Sequence, residues 1–581
     1  MARRRTTGTS RRVSRGRLRC RGITPSVIVS WLLLLVALAV AGYGLFSGVR
    51  AAGAFLAIKG AQITAPPDAK PAAEKTAKKP ATKKPALPPL ALFKPTPGQP
   101  VDKGDGVKIS TFLGNSTRRF YGIGPVPEQL RVIWKTELGS GKTSGTASSK
   151  GPVTWAGSGW TGQPTLVRDK GKLYLLIGGF DHGLRKIDAA TGKTIWRYEF
   201  PDVIKGTNTV WIDQNAPDPD GRIRVVCGSR RGTGANLYSS LEAVTPVRCV
   251  SFETGKELWR LPVPHTLSYS RDADGSALMH KGRLYQGVES GNLYGLDPNY
   301  TSPLGVFRQP LVTSQTLLYE KGDSATHGGN LVLEGSPCVI GETLYVEAGS
   351  GHIYGLSLPD LEVVWDYQTG SDLDSTAVAT RDGFLLCGIE KQYIAGHGGV
   401  IKLDPRKPAA EAAVWYLPTA DRHFVDWDGG VIGSVAVNDE YDPEHNRPPL
   451  AAASAIDGYL YLFSQNETKG SALSFDGKTQ MPTPVIVAKR YIGGSISTPL
   501  IVEDHVIAAG YDAKIHVYRI IYDAKEGSGV ALKTRDGRSV RVSLVETGSF
   551  AGGASFESTP IVWNGRIYIG SRDGHLYCLG K

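Results

Sequence analysis

The amino-acid sequence predicts an all-β protein whose repeats form an eight-bladed β-propeller, with seven blades as the alternative count. The segment Gly171–Phe200 shows the repeat most clearly, because it contains three short strands separated by turns rich in Gly and Asp. Related segments recur down to the C-terminus. The last of them lacks a Trp-containing strand, whereas an unassigned Trp-containing strand, Arg131–Leu138, precedes the first.

One copy of this repeat is not a fold by itself. Its strands are Lys172–Ile177, Gly183–Asp188 and Thr194–Phe200. Asp188 can accept backbone N–H groups in the following turn, and Gly192 can take the positive φ of a short hairpin. Trp196 offers a large apolar surface to a neighbouring sheet. Such a unit buries its faces only against copies of itself, so a ring of repeats is predicted.

The two incomplete ends of the array predict how the ring closes. The final repeat starts near Ser558 and ends at the C-terminus without its Trp strand. The strand around Trp134 supplies what that repeat lacks. Pairing the two would remove the free sheet edge that an open array exposes. Residues 131–581 then give about 56 residues per blade, which predicts several long loops.

The charge of the chain lies mostly outside this array. The formal net charge is +13, but residues 1–100 carry ten Arg and eight Lys against Asp68 and Glu74. The remaining residues therefore have a net charge of about −3. The nearly neutral repeats show no basic groove, so no nucleic-acid partner is predicted.

The N-terminal segments predict the topology. Residues 1–25 are a basic tail, and residues 26–49 contain no charged side chain and are long enough to span a bilayer as one helix. Arginine before the span predicts a cytoplasmic N-terminus and an extracytoplasmic propeller, in the periplasm or at the cell surface. A cleaved signal peptide is the alternative, with small residues at Ala51–Ala54 as the cleavage region.

A spacer separates this signal anchor from the repeats. Residues 50–100 are rich in Ala, Lys and Pro, which predicts an extended, disordered linker and favours a bacterial source. Residues 101–130 form a lead-in segment without clear periodicity, and the propeller is placed at residues 131–581. The linker holds the propeller away from the membrane or is a connection with no further role, and the sequence leaves both open.

The repeat resembles that of pyrroloquinoline-quinone (PQQ)-like propellers, which share the WD40-like blade architecture. The resemblance rests on D-x-x-T-G-x-x-x-W preceded by G-x-L-Y, and it covers roughly 450 residues. It implies that the Trp docks between blades. The residues to which it assigns blade docking are Trp134, Asp188, Gly192, Trp196, Gly255, Trp259, Trp365 and Trp415. Blade 2 departs from the pattern, because Ser251 stands where the motif has Asp.

The resembled family includes both enzymes and scaffolds, so it leaves function open. Its quinoprotein alcohol dehydrogenases use PQQ, a Glu/Asn/Asp calcium site and a disulfide between adjacent cysteines. Its outer-membrane assembly factor is a scaffold that binds protein through surface loops. This chain has neither adjacent cysteines nor a haem-attachment CxxCH, and it lacks a lipobox. Acidic and Asn side chains converging at one end of the central channel would favour the enzyme.

Two further clusters are weaker candidates. The loop Trp211–Arg222 contains four oxygen-bearing side chains at calcium-like spacing: Asp213, Asn215, Asp218 and Asp220. Its prolines and the missing final Glu favour a simple hairpin loop over a metal site. A second stretch contains four residues of a candidate pocket: His423, Asp426, Trp427 and Asp428. A turn with a packed Trp is the alternative there.

The cysteines do not define a metal site. None of the six forms a CxxC motif, so zinc-type spacing is absent. Cys227 and Cys249 fall in strands of one predicted blade, where a disulfide is conceivable. Buried free thiols are the favoured interpretation.

The sequence thus predicts a non-catalytic, membrane-anchored, extracytoplasmic propeller that binds a protein or a cell-envelope polymer. No catalytic residue and no cofactor are predicted, because no nucleophile elbow, zinc motif or haem motif is present. A PQQ-dependent dehydrogenase using PQQ with calcium is one alternative. A role like that of the outer-membrane assembly factor is the other.

Overall fold

The computed structural model describes residues 104–145 and 151–581. In that part of the chain, eight β-sheet blades of four or five strands follow one another, which confirms the predicted all-β fold and the count of eight. The predicted tail, membrane helix and most of the linker lie outside the described residues. No helix within the described ranges has the length and hydropathy needed to cross a bilayer.

The strands of each blade are given from the channel outward. Blades 1 and 8 each begin with an added strand from residues 106–123, and their own innermost strands, from which the strands are counted below, are Thr165–Asp169 and Ile561–Trp563. Blades 1 and 2 are Gly106–Ile109, Thr165–Asp169, Lys172–Gly178, Gly183–Asp188 and Thr194–Glu199, then Thr209–Ile212, Ile223–Cys227, Val247–Ser251 and Glu257–Leu261. Blades 3 and 4 are Leu278–His280, Arg283–Gly287, Asn292–Leu304 and Phe307–Leu317, then Cys338–Ile340, Thr343–Ala348, His352–Ser357 and Val363–Gln368.

The second half follows the same order. Blades 5 and 6 are Val378–Ala379, Leu385–Ile389, Gly399–Leu403 and Ala413–Pro418, then Ala436–Val437, Leu450–Ser454, Tyr459–Leu473 and Gln480–Tyr491. Blades 7 and 8 are Leu500–Val502, His505–Ala509, Lys514–Ile521, Ser539–Ala551 and Val530–Lys533, then Gly122–Ile123, Ile561–Trp563, Arg566–Gly570, His575–Gly580 and Arg131–Glu137.

Little else in the described chain is regular. Two hairpins stand outside the blades, Ser140–Thr143 with Val153–Ala156 and Asp421–Phe424 with Trp427–Gly429. The described helices are single turns: Asp323–Thr326 is α-helical, and Pro219–Gly221, Ala409–Glu411 and Asp439–Tyr441 are 3-10 turns. The loops around these turns are among the long loops that the length of about 56 residues per blade predicts.

The ring closes as the two incomplete ends predict. Arg131–Glu137 pairs antiparallel with His575–Gly580, from Arg131 opposite Gly580 to Glu137 opposite His575. The N-terminal strand is therefore the outermost strand of the last blade. This pairing removes the open edge that a linear array of blades would leave.

Burial along the strands explains why these segments fold as stacked blades. The second strands are buried almost throughout, as in Ile223–Cys227 and Leu385–Ile389, because a blade has a neighbour on each face. The outermost strands are more exposed, and in Thr194–Glu199 half-buried and exposed side chains alternate. Apolar clusters cross the blade boundaries, and Leu176 of blade 1 belongs to the same cluster as Val225 of blade 2.

The segment before residue 131 lies on the propeller axis. Gly106–Ile109 pairs with the innermost strand of blade 1, and Gly122–Ile123 pairs in parallel with that of blade 8. Between them, backbone carbonyls accept from the innermost strands of other blades: Ser110 from Val210 N, Ser116 from Val339 N, and Thr117 from Ala379 N. We call residues 106–123 the axial segment. It ties together blades that are far apart in sequence.

The buried side chains of the axial segment complete this tie. Phe112, Leu113, Arg118 and Tyr121 have no solvent-exposed surface. Arg118 donates from Nε to Pro337 O at 2.8 Å and from Nη1 to Phe112 O at 2.6 Å. Backbone carbonyls thus accept from a guanidinium that has been removed from water, as a buried charge requires.

A histidine in the third strand of blade 7 links stability to pH. His516 is 6% exposed and lies 2.9 Å from both Asp512 Oδ2 and Glu546 Oε1. Burial lowers the pKa of His516, but the hydrogen bonds and charges of the two carboxylates outweigh burial and raise it above its usual value. The imidazolium form therefore stabilises the folded state.

We expect this contribution to be complete below the unfolded-state pKa of about 6.5 and to be lost as pH rises through the higher folded-state pKa. The His516→Gln variant should therefore lose less stability than the wild type between about pH 6 and about pH 8. Urea denaturation at each pH measures this difference. Parallel pH dependences for the two proteins would show that His516 does not contribute.

Candidate functional site

A belt of hydroxyl and amide side chains surrounds one end of the channel. Each belt residue lies two positions before the innermost strand of its blade: Gln163, Thr207, Ser276, Ser336, Thr376, Ser434, Thr498 and Thr559. Most of these side chains accept from the backbone of the previous blade, as in Ser276 N to Ser336 Oγ at 3.0 Å and Ser336 N to Thr376 Oγ1 at 2.9 Å. The belt fixes the innermost strands relative to one another, and the Trp repeat does not predict it.

Two positions before each belt residue, one side chain per blade forms an axial ring. Its members in blade order are Thr161, Lys205, Asp274, Glu334, Asp374, Ile432, Ile496 and Glu557. Blades 2 to 5 thus contribute one ammonium and three carboxylates in succession. Acidic residues that follow the second strands of blades 3 and 5, Glu289 and Glu390, add to this charge.

These carboxylates form two triads. Asp274, Glu289 and Glu334 each offer an oxygen within 4.8 Å of the others, and we call them the first triad. Asp372, Asp374 and Glu390 do the same and form the second triad.

The two triads are built by the same sequence pattern. Blade 3 contains DADGS at residues 272–276 and GVE at 287–289, and blade 5 contains DLDST at 372–376 and GIE at 388–390. This repeated D-x-D-[GS]-[ST] before an innermost strand is the signal that would have predicted the site. The Trp repeat, on which the sequence-based prediction rests, does not include these positions.

The first triad has a cation. Lys205 Nζ forms an ion pair with Asp274 Oδ2 and lies 3.9 Å from Glu334 Oε2. Nearby Asp272 is also compensated, because Arg230 Nε lies 2.7 Å from its Oδ2. Blade 2 therefore supplies positive charge to Asp274 and Asp272, whereas burial still raises the pKa of Glu289 and of Glu334 well above the usual range.

The second triad has no ion pair with any Lys, Arg or His in the described ranges 104–145 and 151–581. Asn330 Nδ2 donates to Asp372 Oδ2 at 2.5 Å. Four oxygens have no hydrogen-bond partner within those ranges: Asp372 Oδ1, Asp374 Oδ1, Glu390 Oε2 and Asn330 Oδ1. The exposed fractions of these residues are 7%, 8%, 3% and 3%.

Burial and mutual repulsion disfavour ionisation of the second triad. Burial raises the pKa of Asp372 to about 7, and the charge of Glu334 adds to the shift. Burial, and then repulsion by Asp372, raises the pKa of Asp374 well above its usual range. Burial and the charge of Asp374 do the same to the pKa of Glu390. A positive group beside these carboxylates would oppose all three shifts.

Aromatic side chains line the rest of this end of the channel. Trp160 contacts Trp427 with ring centroids 6.3 Å apart, and its own ring lies 5.0 Å from Lys205 Nζ. Tyr511 contacts Trp427 at 6.5 Å and donates to Glu557 Oε1 at 3.2 Å. The channel end is therefore acidic at blades 3 to 5 and aromatic on its other side.

The candidate pocket predicted from the sequence lies on the hairpin beside this aromatic group. Trp427 is half-buried, whereas His423, Asp426 and Asp428 are exposed. His423 Nδ1 lies 2.7 Å from Asp428 Oδ1, so these two side chains contact each other.

The candidate metal loop is organised by its own hydrogen bonds. Asp213 Oδ2 accepts from Arg224 Nη2 at 2.9 Å, and Asp218 accepts from the backbone of Asp220 and Gly221. Neither triad includes Asp213, Asn215, Asp218 or Asp220. Cys227 and Cys249 are buried free thiols in adjacent strands of blade 2.

The docking tryptophans contact the following blade in the same way. Each indole N–H donates to a backbone carbonyl: Trp134 to Ala189 at 3.2 Å, Trp196 to Phe252 at 2.8 Å, Trp259 to Pro298 at 3.0 Å, Trp365 to Lys407 at 3.1 Å and Trp415 to Gln465 at 2.9 Å. These carbonyls lie just after the third strand of the next blade or within its extension.

The turn residues assigned to docking lie under these rings. Gly192 has a φ of +76°, and a Cβ there would come within 2.7 Å of the Trp134 ring. Gly255 has a φ of +69°, and a Cβ there would come within 2.8 Å of the Trp196 ring. Asp188 Oδ1 accepts from the backbone N of Ala190 at 2.9 Å and so shapes the first of these turns.

Comparisons with known proteins support the fold. A family model described as outer membrane protein assembly factor BamB matches residues 131–302 and 243–426, which together make up just over half of the chain. No curated protein sequence matches.

Solved structures that match this chain include a natural and a designed protein. The crystal structure of BamB from Moraxella catarrhalis has 13% identity over 77% of this chain and 98% of that one, with a TM-score of 0.43. The crystal structure of the computationally designed Ika8 protein has 12% identity over 73% of this chain and 98% of that one, with a TM-score of 0.40. From the family match and its eight blades, the chain belongs to the PQQ-like β-propeller family of outer membrane protein assembly factor BamB.

Proposed function

We propose that this protein is a non-catalytic scaffold, anchored to a membrane by residues 26–49, whose extracytoplasmic propeller binds a partner protein. The family match over residues 131–426 carries the proposal, because the description of that family names an outer membrane protein assembly factor. The ring of eight blades supports it, since a closed propeller presents loops and long hairpins on a rigid frame. The basic tail and uncharged span of the sequence support the anchor.

Two exposed apolar side chains mark different regions of that frame. Val306, at the turn of the long hairpin of blade 3, is 92% exposed. Tyr238, in the loop between the second and third strands of blade 2, is 83% exposed. Probes at these positions report on the outer rim and on the loop face separately.

Site-specific photo-crosslinking in intact cells tests the scaffold. A photoreactive residue is placed at Val306, at Tyr238 and, as an exposed control, at Glu526. We expect one protein to be recovered from one of the first two positions and not from Glu526. A pattern that is identical at all three positions, or no adduct at any of them, would contradict the proposal.

A PQQ-dependent dehydrogenase is the second candidate, and one observation favours it. Carboxylates and Asn330 do converge at one end of the channel. The fit to the quinone is poor, however. Each triad's oxygens lie within 4.8 Å of one another, which is the scale of the calcium ion of such an enzyme and assigns no place to its fused-ring quinone. The buried cysteines of the described chain are also not adjacent in sequence.

Reconstitution distinguishes the two candidates. The protein is incubated with PQQ and calcium, and dye reduction is measured with alcohols and sugars. We expect no turnover above that of a heat-denatured control. Robust turnover would overturn the scaffold proposal in favour of the dehydrogenase.

A further inference from the structure

We propose that the second triad receives the ammonium group of a lysine side chain from the partner protein. This role rests on the proposed scaffold function and specifies the chemistry of its partner. The same sequence pattern positions Asp274 with Glu289 and Asp374 with Glu390. The two triads differ in their third carboxylate, which is Glu334 in the first and Asp372 in the second, and in their cation. The first triad holds an ammonium, from Lys205, and the second triad has no ion pair with a described residue.

The axial ring shows which residue differs between the two sites. Lys205 is the axial-ring residue of the blade before Asp274. The residue in the same relation to Asp374 is Glu334, so a carboxylate stands where the first triad has its lysine. On the other side, blade 6 contributes Ile432. Neither neighbouring blade therefore provides an axial-ring cation to the second triad.

The unpaired oxygens point to a ligand. Asp374 Oδ1 and Glu390 Oε2 are buried without hydrogen-bond partners among the described residues, as is Asn330 Oδ1. In the first triad, Asp274 and Glu289 also have oxygens without hydrogen-bond partners, but there Lys205 Nζ forms an ion pair with Asp274. A buried polar atom without a partner is unfavourable, and more so when it is charged. An ammonium group has three N–H donors, which matches a set of unpaired acceptors.

Two tyrosines make the approach to the triad suitable for a lysine. Tyr269 and Tyr393 are 47% and 50% exposed. Burial raises the pKa of Tyr269, and the negative charges of Glu334 and Glu289, followed by those of Asp372 and Asp374, add to the shift. Burial also raises the pKa of Tyr393, and the charge of Asp372 adds to that shift. A lysine stem would pack along such rings while its ammonium reaches the carboxylates.

The chemistry of the first triad also favours an ammonium over a bare metal ion. The pattern that positions Asp274 and Glu289 is complemented there by Lys205. The second triad repeats this pattern with Asp374 and Glu390. A charge-assisted N–H···O bond to a carboxylate is the interaction that the first site already uses.

Binding of fluorescent pentalysine by the purified protein tests the inference. Anisotropy is measured at about 0.15 M salt, where exposed charges are largely screened. We expect saturable binding to the wild type, and binding at least tenfold weaker for pentalysine acetylated on its side-chain amines. Equal affinity for the two peptides, or no binding of either, would overturn the proposal.

Charge-matched variants locate the site. Asp374→Asn with Glu390→Gln removes two carboxylates of the second triad, and Asp220→Asn with Asp523→Asn removes two carboxylates outside the channel. We expect only the first pair to weaken pentalysine binding at least tenfold. An equal loss in the control pair would show nonspecific attraction and would overturn the proposal.

A third variant keeps the test valid if the first pair does not fold. Glu334→Lys places an ammonium in the position that corresponds to Lys205 and should fill the second triad from within the chain. We expect this variant to fold and to lose pentalysine binding. Wild-type affinity in Glu334→Lys would overturn the proposal.

Two more measurements distinguish a lysine site from a metal site and from a site that the partner does not use. If about 1 mM calcium raises the melting temperature of the wild type but not of the Asp374→Asn/Glu390→Gln variant, and pentalysine does not bind, the second triad is a metal site and the inference fails.

If in-cell crosslinking still recovers the same partner with the Asp374→Asn/Glu390→Gln variant, the scaffold function holds but the inference fails. Loss of that adduct together with loss of pentalysine binding supports the inference.

Discussion

Replacing Trp259 by Ala is expected to lower the free energy of unfolding by about 3–5 kcal/mol. The side chain has no exposed surface, and its cluster includes Leu284 and Leu296 of blade 3. Its indole N–H donates to Pro298 O at 3.0 Å. The substitution therefore leaves a large cavity at the boundary between two blades. It also removes one of two donors to Pro298 O, which still accepts from Arg224 Nη1 at 3.1 Å. Urea denaturation followed by circular dichroism measures the change.

The matched comparison is Trp196→Ala. Trp196 occupies the same repeat position and donates to Phe252 O at 2.8 Å, but its ring is only half-buried. A loss of about 3–5 kcal/mol is expected for a buried ring, and the Trp196 ring does not meet that condition. We expect Trp196→Ala to be clearly less destabilising than Trp259→Ala. Equal losses would mean that burial of the ring does not determine the strength of docking.

The fold could be predicted because its information is local and repeated. The turn with Asp188 and Gly192 and the following Trp196 recur at intervals that one blade sets, so each copy supports the others. Ring closure followed from a missing Trp strand at one end and an extra one, around Trp134, at the other. These patterns depend on residues close together in sequence, which periodicity detects well.

The axial end of the channel could not be predicted in the same way. Asp374 and Glu390 lie at different strands of blade 5, and each stands among ordinary turn residues in the sequence. The pattern that relates them to Asp274 and Glu289 spans two blades that are not adjacent. Only the ring brings such positions together, and only burial shows that their carboxylates have oxygens without partners among the described residues.

The axial segment shows the limit of periodicity most clearly. Residues 106–123 contact blades on every side of the channel, so no single spacing describes their burial. Ser110 and Tyr121, for instance, bond to blades 2 and 8 respectively. A segment that is buried by many different strands has neither the period of a helix nor that of a half-exposed strand. The sequence therefore presents it as an irregular lead-in.

Tyr121 tests whether this segment holds the ring together. The side chain is fully buried, and its hydroxyl accepts from Val437 N of blade 6 at 3.0 Å. Its ring stacks on Tyr441 with centroids 6.2 Å apart. Its own carbonyl accepts from Val562 N of blade 8 at 3.1 Å. One residue thus joins the last blade to a blade two places before it.

We expect Tyr121→Ala to lower the free energy of unfolding by about 3–5 kcal/mol, because it opens a cavity on the axis and leaves the Val437 N–H unpaired. Tyr121→Phe keeps the ring and should lose only about 1–3 kcal/mol for the unpaired N–H. Tyr238→Ala, at an 83% exposed position, should stay within about 0.5 kcal/mol of the wild type. If Tyr121→Ala changed the free energy of unfolding as little as Tyr238→Ala does, the axial segment would not contribute to the stability of the ring. A loss of unfolding free energy that increases from Tyr238→Ala through Tyr121→Phe to Tyr121→Ala would instead support a stabilising role. It would show that the eight blades depend on the axial segment, whose sequence does not contain the blade repeat.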